Sequence, residues 1–520
     1  MRLLAAAHRR NLSQATAATV AVDLATAYQT LDGFGATGRP LIYAQGGGGS
    51  LDYLTAPQRT ALLDYVFGDC KINLPYCDDG AMEANANDDS DANTAGTFDF
   101  RGVDNYVSGI ASGAASRGVT MRVGGVRLWT KGTVMAWLRT IRASNYNTYL
   151  SECAEFAFVG FQRWVNQMGY EPDYYHLYNE PLSGGQEIEG GITQDLVDIV
   201  KAVGARFRAG GYNNVMLVVP SEETMDKSIE SATAILADAT ARQYVGAISY
   251  HPYPYGSAYA SVVNILAQSG AGTPNATANA SRANLLSLAN TYGKKLWMTE
   301  VSEGPGNSSY PDPEDIRYLR ARAIHIHDEM RYARASAFFG MLLIWDRNSH
   351  IDHFGNTNYF DEQSTIALLH NDTSVLTKTG MSRAIGHYSR VAPVGSQVVS
   401  SSSNDSLVQV TAFKSTNKFS VVLINNASTA RAITINLTGG TLVGTYSGEH
   451  SEGAATRWGT PPTPSIGSTS ITVALPAECV TSYAFDLVPP AGTPDAPTLT
   501  AVTFVDDTPD APVLTSVEFS

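Results

Sequence analysis

Cysteine is scarce in this chain. Four occur in 520 residues, at Cys70, Cys77, Cys153 and Cys479. So few, so scattered, cannot form a disulfide scaffold, and they have no metal-ligand spacing. Cys70 and Cys77 bracket a strand-like run at 71–76. If extended, that run holds their α-carbons about 20 Å apart, beyond disulfide reach. The thiols are expected to be reduced and mostly buried. Charge is also sparse, at 16% of residues, and positive charge more so: 35 Lys and Arg against 49 Asp and Glu, a net of −14. That balance argues against nucleic acid or an anionic membrane surface as a partner, and it serves solubility. No apolar run reaches the ~20 residues a membrane crossing needs. Met1 to Ala7 starts like a signal peptide but meets His8-Arg9-Arg10 before an apolar region has formed. Sequons at Asn11, Asn275, Asn279, Asn307, Asn371, Asn404, Asn426 and Asn436 lean toward an exported or extracellular protein.

Three kinds of pattern follow one another along the chain. Residues 1–18 read as a loose segment. Residues 19–30 carry an alternating strand, expected to pair with a side β-domain. From 31 to 390 apolar strand-like runs alternate with amphipathic helical ones, which argues for a parallel sheet. The strand runs are 31–34, 71–76, 120–126, 174–178, 215–219, 245–250, 295–299 and 337–344. The helical runs include 55–67, 103–115, 149–168, 196–209, 280–292 and 313–332. Eight such units in this length predict a (β/α)8 TIM barrel. From 391 to 487 helical periodicity vanishes, and short alternating strands punctuated by Gly, Ser, Thr and Asn predict a β-sandwich. Residues 488–520 hold a 15-residue repeat, Thr493-Pro494-Asp495-Ala496-Pro497 recurring as Thr508-Pro509-Asp510-Ala511-Pro512. Two copies are too few for a repeat domain. They read as a Pro-rich tail or linker, or as a docking strand.

Chemistry is expected at two strand ends. Glu180 closes the run Tyr174-Tyr175-His176-Leu177-Tyr178-Asn179-Glu180-Pro181, and Glu300 closes Lys295-Leu296-Trp297-Met298-Thr299-Glu300. Strand C-terminal ends of a barrel open on one face, where active sites collect. Each motif alone is equally a surface turn or a solvated strand end. Together they are separated by about three βα units of roughly 40 residues, which puts them on strands four and seven. Two carboxylates on one barrel face are the minimal equipment for hydrolysing a glycosidic bond. Asn179 is placed to hold the sugar hydroxyl beside the reacting carbon. Tyr250, His251 and Tyr253 end strand six and could bond the nucleophile or a substrate hydroxyl; His251 could also be structural. Trp129, after strand three, and Trp345, ending the strand-eight run, offer indole faces on which a sugar ring packs. Trp137 reads better as core. The acidic run Asp78, Asp79, Glu83, Asp88, Asp89 and Asp91 lacks calcium-loop spacing and reads as a solvated loop.

These residues together resemble glycoside hydrolase family 30. The similarity runs over about residues 19–487. Leu31-Asp32-Gly33-Phe34-Gly35 resembles the family's opening strand, Asn179-Glu180-Pro181 its acid/base motif and Thr299-Glu300 its nucleophile strand. His251-Pro252-Tyr253 is similar to its strand-six motif, and Ile344-Trp345-Asp346 to its strand-eight tryptophan. Trp129 with Met135-Ala136-Trp137-Leu138 resembles its strand-three loop. Gly386-His387-Tyr388-Ser389 and Val391-Ala392-Pro393-Val394-Gly395 resemble its exit into the side β-domain. The family's strand-two arginine is missing from Ile72-Asn73-Leu74-Pro75-Tyr76-Cys77-Asp78.

The resemblance implies a retaining β-glycosidase working by double displacement, with Glu300 as nucleophile and Glu180 as acid/base. The expected partner is an oligo- or polysaccharide, or a glycoconjugate, met by a monomer with no metal or organic cofactor. Two other readings stay open. One is a catalytically inactive glycan-binding barrel with a lectin-like β-domain. The other is a retaining glycosidase of a neighbouring family in the same clan.

Overall fold

The structure, a computed structural model, describes residues 15–38, 54–78, 82–83, 98–99, 103–125, 128, 135–182, 187–253, 262–273, 276–302, 314–346, 365–370, 375–453, 456–489, 499–505 and 513–519. The acidic run from Asp79 to Asp91 lies almost wholly outside these residues.

Eight parallel strands close into a barrel. In chain order they are Gly33–Gly38, Leu74–Asp78, Val123–Gly125, Tyr174–His176, Met216–Glu222, Val245–Tyr250, Lys295–Met298 and Ala337–Gly340. Each falls on one of the eight apolar runs of the sequence. Inward residues Leu74, Val123, Val218, Ala247, Trp297, Ala337 and Phe339 fill the lumen as a small separate core. A larger core lies between the strands and the surrounding helices. The helices start where local chemistry satisfies their first N–H groups. Gln58 accepts from the Thr55 backbone N–H at 2.7 Å ahead of Ala56–Leu63. The Asn145 side chain caps Tyr146–Met168, which Gly169 ends at φ 73°.

Barrel strand one is fixed to its neighbours by side chains as well as by its ladder. Asp32 Oδ1 accepts from Lys295 at 2.6 Å, while Oδ2 accepts from Trp297 Nε1 at 3.0 Å and from Ser336 at 2.7 Å. On the other side Asn73 accepts from the Phe34 N–H and donates to the Asp32 carbonyl, both at 2.8 Å. Gly33 has φ 137°, and a Cβ there would sit 1.9 Å from Asn73 Oδ1. Only glycine fits.

The eighth apolar run departs from expectation. It is not one strand over 337–344. The barrel strand stops at Gly340, and Leu342–Asp346 forms a second strand. That strand pairs with Thr365–His370, which in turn pairs with Val375–Lys378 in a separate three-stranded sheet.

The C-terminal domain is a ten-stranded ladder around its own core. The N-terminal strand, Thr16–Thr30, lies within it, antiparallel to Gln397–Ser403 and parallel to Arg431–Thr438. It is longer than the sequence suggested. Beyond this domain, Leu499–Val505 and Val513–Phe519 pair antiparallel, so the two sequence repeats pair with each other. Cys70, Cys153 and Cys479 are buried and form no disulfide. No described helix is long and apolar enough to cross a membrane.

Buried histidines join barrel to β-domain. His327 Nδ1 shares a 2.8 Å bond with Thr411, and His387 bonds Ser482 at 3.1 Å and Ser451 at 2.8 Å. Burial keeps both rings neutral, lowering each pKa to about 3; His325, on the same helix as His327, falls to about 4. The unfolded chain takes up these protons below about pH 6.5, while the folded chain resists until near 4 and 3. Their contribution to stability is therefore lost as pH falls from 6.5, by up to about 1.4 kcal/mol per pH unit for each ring. Melting at pH 4.5 should lie well below melting at pH 7, and His387→Gln should flatten that dependence. Equal melting temperatures at the two pH values would contradict the assignment.

Candidate active site

The ends of strands four to seven gather at the barrel mouth. Strand four runs out at His176, and four residues later Glu180 takes a left-handed backbone, φ 52°. Its N–H donates to the Ser221 carbonyl at 2.8 Å. The Asn179 N–H is held by the Glu187 carboxylate at 2.6 Å, and Leu182 N–H reaches Glu222 Oε2 at 3.3 Å. The acidic turn is thus pinned on both sides of Glu180, whose side chain stays 15% exposed. Asn179 is buried beside it.

Strand seven sends Trp297 into the lumen and packs Leu296 and Met298 toward the helices. Thr299 N–H then donates to the Tyr250 carbonyl at 3.1 Å. Glu300 follows, nearly buried at 6% exposure.

Strand six supplies the groups between the two carboxylates. Its alternation decides which of the expected residues arrive. Ser249 faces inward, where it accepts from Ser221. Tyr250 faces outward, and its hydroxyl donates to Glu329 at 2.6 Å, in a buried cluster with Arg282 and His325. Tyr250 is therefore fully buried away from the carboxylates, contrary to the expectation that it meets substrate. His251 returns inward and bonds Glu180 Oε1 through Nδ1 at 3.1 Å. The Tyr253 hydroxyl lies 3.4 Å from Glu300 Oε1 and 3.1 Å from Ser302 Oγ. One ligand atom from each of Glu180, His251 and Glu300 lies within 4.8 Å of the others.

Burial opposes charging His251, but the Glu300, Glu180 and Glu222 carboxylates outweigh it and hold its pKa above the ordinary 6.5. Burial, reinforced by Glu300, raises the Tyr253 pKa well above 10, so it stays a donor at neutral pH. Two carboxylates, an imidazole whose pKa they raise and a phenol can share and move protons at one point. The same Glu-His-Glu set could also close on a divalent cation.

Of the other expected residues, Trp137 packs against the main core. Trp345 falls in the strand Leu342–Asp346, outside the barrel ring, and its side chain lies outside the described residues. Trp129 also lies outside them. Sequence reading missed Glu187, Ser221 and Glu222. Glu222 carried the same signal as the chosen pair: a carboxylate just after an apolar run, 215–219.

The raised pKa of His251 makes a stability prediction. A pKa raised on folding stabilises below the unfolded value near 6.5 and loses that contribution as pH rises through the folded value. The stability advantage of the wild type over His251→Asn should shrink between pH 6 and pH 9. An advantage that grows over that range in denaturant titrations would mean the ring is neutral.

No model of a protein family matches this chain, and no curated protein sequence does. Solved structures do. An endoxylanase of glycoside hydrolase family 30 from Clostridium papyrosolvens aligns with a TM-score of 0.60 at 17% identity, over 90% of this chain and 100% of that one. A family 30 subfamily 8 xylanase from Clostridium acetobutylicum aligns at 0.61 and 19%, over 90% and 99%. An endo-β1,6-glucanase aligns at 0.62 and 18%, over 90% and 94%. At such identities the likeness is one of fold. Over nine-tenths of its length, this chain has the barrel and side β-domain architecture of those glycoside hydrolase structures.

Proposed function

We propose that the chain is a glycoside hydrolase of the family 30 type, cleaving β-linked glycans with retention of configuration. The observation that carries this reading is the Glu180–Glu300 pair, with one oxygen of each within 4.8 Å. Retaining enzymes hold their carboxyl groups about 5–5.5 Å apart, whereas inverting ones leave about 6.5–9.5 Å for a water between. Glu300, which accepts from Tyr253, is the nucleophile. It bonds to the anomeric carbon as the leaving oxygen departs with a proton from Glu180. Glu180 then takes a proton from water, whose oxygen displaces Glu300 and frees the sugar. His251 Nδ1, 3.1 Å from Glu180 Oε1, is placed to hold that carboxyl in position while it gives and then takes the proton. Asn179 is assigned to the hydroxyl next to the reacting carbon. The solved neighbours make xylan and β1,6-glucan the first polymers to assay.

Activity on aryl β-glycosides and these polymers tests the reading. Binding without hydrolysis would favour a glycan-binding protein, and loss of turnover on chelation would favour a metal in the Glu-His-Glu set. Glu300→Gln should abolish turnover on every substrate. Glu180→Gln should still be glycosylated by substrates with good leaving groups, then stall, and azide should restart it because azide attacks without a general base. Equal loss in both variants on activated substrates, with azide rescuing neither, would mean the roles are wrong.

A further inference from the structure

Two residues at the barrel mouth carry a left-handed backbone without being glycine. Glu180 and Ser221 both have φ 52°, and the N–H of the first donates to the carbonyl of the second at 2.8 Å. Side chains disfavour that conformation, and it persists where surrounding structure enforces it. Ser221 is also the extra residue of a bulge. Strands five and six pair Pro220 with Ser249 and Glu222 with Tyr250, leaving Ser221 unpaired between them. Bulges re-aim a side chain that plain alternation would send elsewhere.

Here the re-aimed side chain enters a dry hub. Ser221 has no exposure, and its hydroxyl donates to Ser249 Oγ at 2.7 Å. His176 Nε2 lies at 2.6 Å and Thr299 Oγ1 at 3.1 Å from the same oxygen. A hydroxyl has one proton and two lone pairs, so donating to Ser249 leaves room for both His176 and Thr299 as donors. His176 ends strand four, which leads to Glu180. Thr299 is the residue before Glu300. The Ser221 carbonyl therefore holds the backbone of one carboxylate, and its hydroxyl holds the approach to the other.

We propose that Ser221 is the positioning residue that sets the separation of the Glu180 and Glu300 carboxylates, with its carbonyl and hydroxyl joining strand four to strand seven across the strand-five bulge. The role in turnover rests on the assignment of those carboxylates as acid/base and nucleophile. The geometric claim does not.

Ser221→Gly is the test variant, because glycine accepts the left-handed backbone and keeps the carbonyl, so only the hydroxyl is lost. Two readouts are expected to move. The kcat on aryl β-glycosides should fall about tenfold to a hundredfold with KM changed less than about twofold, the cost of slight misplacement. The His251 imidazole, titrated by NMR, should show a lower pKa as Glu180 and Glu300 drift from the ring. Glu222 also faces that ring, and its bonds to Leu182 and Ser231 do not pass through the Ser221 hydroxyl. Thr299→Val should reproduce both changes, Thr299→Ser should spare both, and the double variant should lose little more than either single one. A His251 titration unchanged in both Ser221→Gly and Thr299→Val would overturn the proposal, whatever happens to kcat. A wild type that hydrolyses no β-glycoside would overturn the glycosidase reading, while the His251 titration would still decide the positioning claim.

Discussion

A barrel must close, and in this chain the closing seam is held by one carboxylate. Asp32 accepts from Lys295 and Trp297 of strand seven and from Ser336 just before strand eight, while its own backbone leads into strand one. These bonds sit at the end of the barrel opposite the glutamates. They fix strand seven in height relative to strand one, and every other strand follows by parallel pairing around the ring. Glu300 reaches the height of His251 because Lys295 and Trp297 are tied five and three residues earlier. A single-residue slip there would turn every inward side chain outward.

The far side of the barrel is joined to the β-domain by a different kind of contact. Neutral imidazoles and hydroxyls meet in dry surroundings, so the joint is directional as well as apolar. Some fully buried charged groups are paired instead. Arg282 and Glu329 lie at 2.6 Å with no exposure, and Tyr250 and His325 complete the shell around the carboxylate. Such a pair costs desolvation and supplies specificity more than net stability. Here it orients the outward face of strand six, and so the inward face that carries His251.

The sequence made the architecture legible because parallel strands buried on both faces appear as short continuous apolar runs. Each of the eight barrel strands falls on one of these runs. The amphipathic run 149–168 marked the helix Tyr146–Met168. The two central glutamates were legible because each closes a run. Other features depend on contacts that local pattern does not encode. Gly340 lies inside an unbroken apolar run, so the exit of Leu342–Asp346 from the barrel left no trace. In sequence Tyr250 reads as a site residue because it neighbours His251, but adjacent strand residues face opposite ways. Ser221 is an ordinary serine in sequence; its bulge and left-handed backbone exist only once strand six lies beside it. The helix Met225–Ala237 was missed because its apolar stripe is interrupted by small polar residues, Ser228 and Ser231, that are themselves buried.

The N-terminal strand has a consequence for biosynthesis. Thr16–Thr30 finds its antiparallel partner at Gln397–Ser403 and its parallel partner at Arg431–Thr438, yet barrel strand one begins only three residues after it ends. On the ribosome this strand has neither neighbour until nearly four hundred further residues have emerged. It spends that interval as an unpaired edge of alternating apolar residues, tethered to a barrel that is already assembling. A strand made before the barrel is thus buried after it. Its edges are closed only once residues 397–403 and 431–438 have been made.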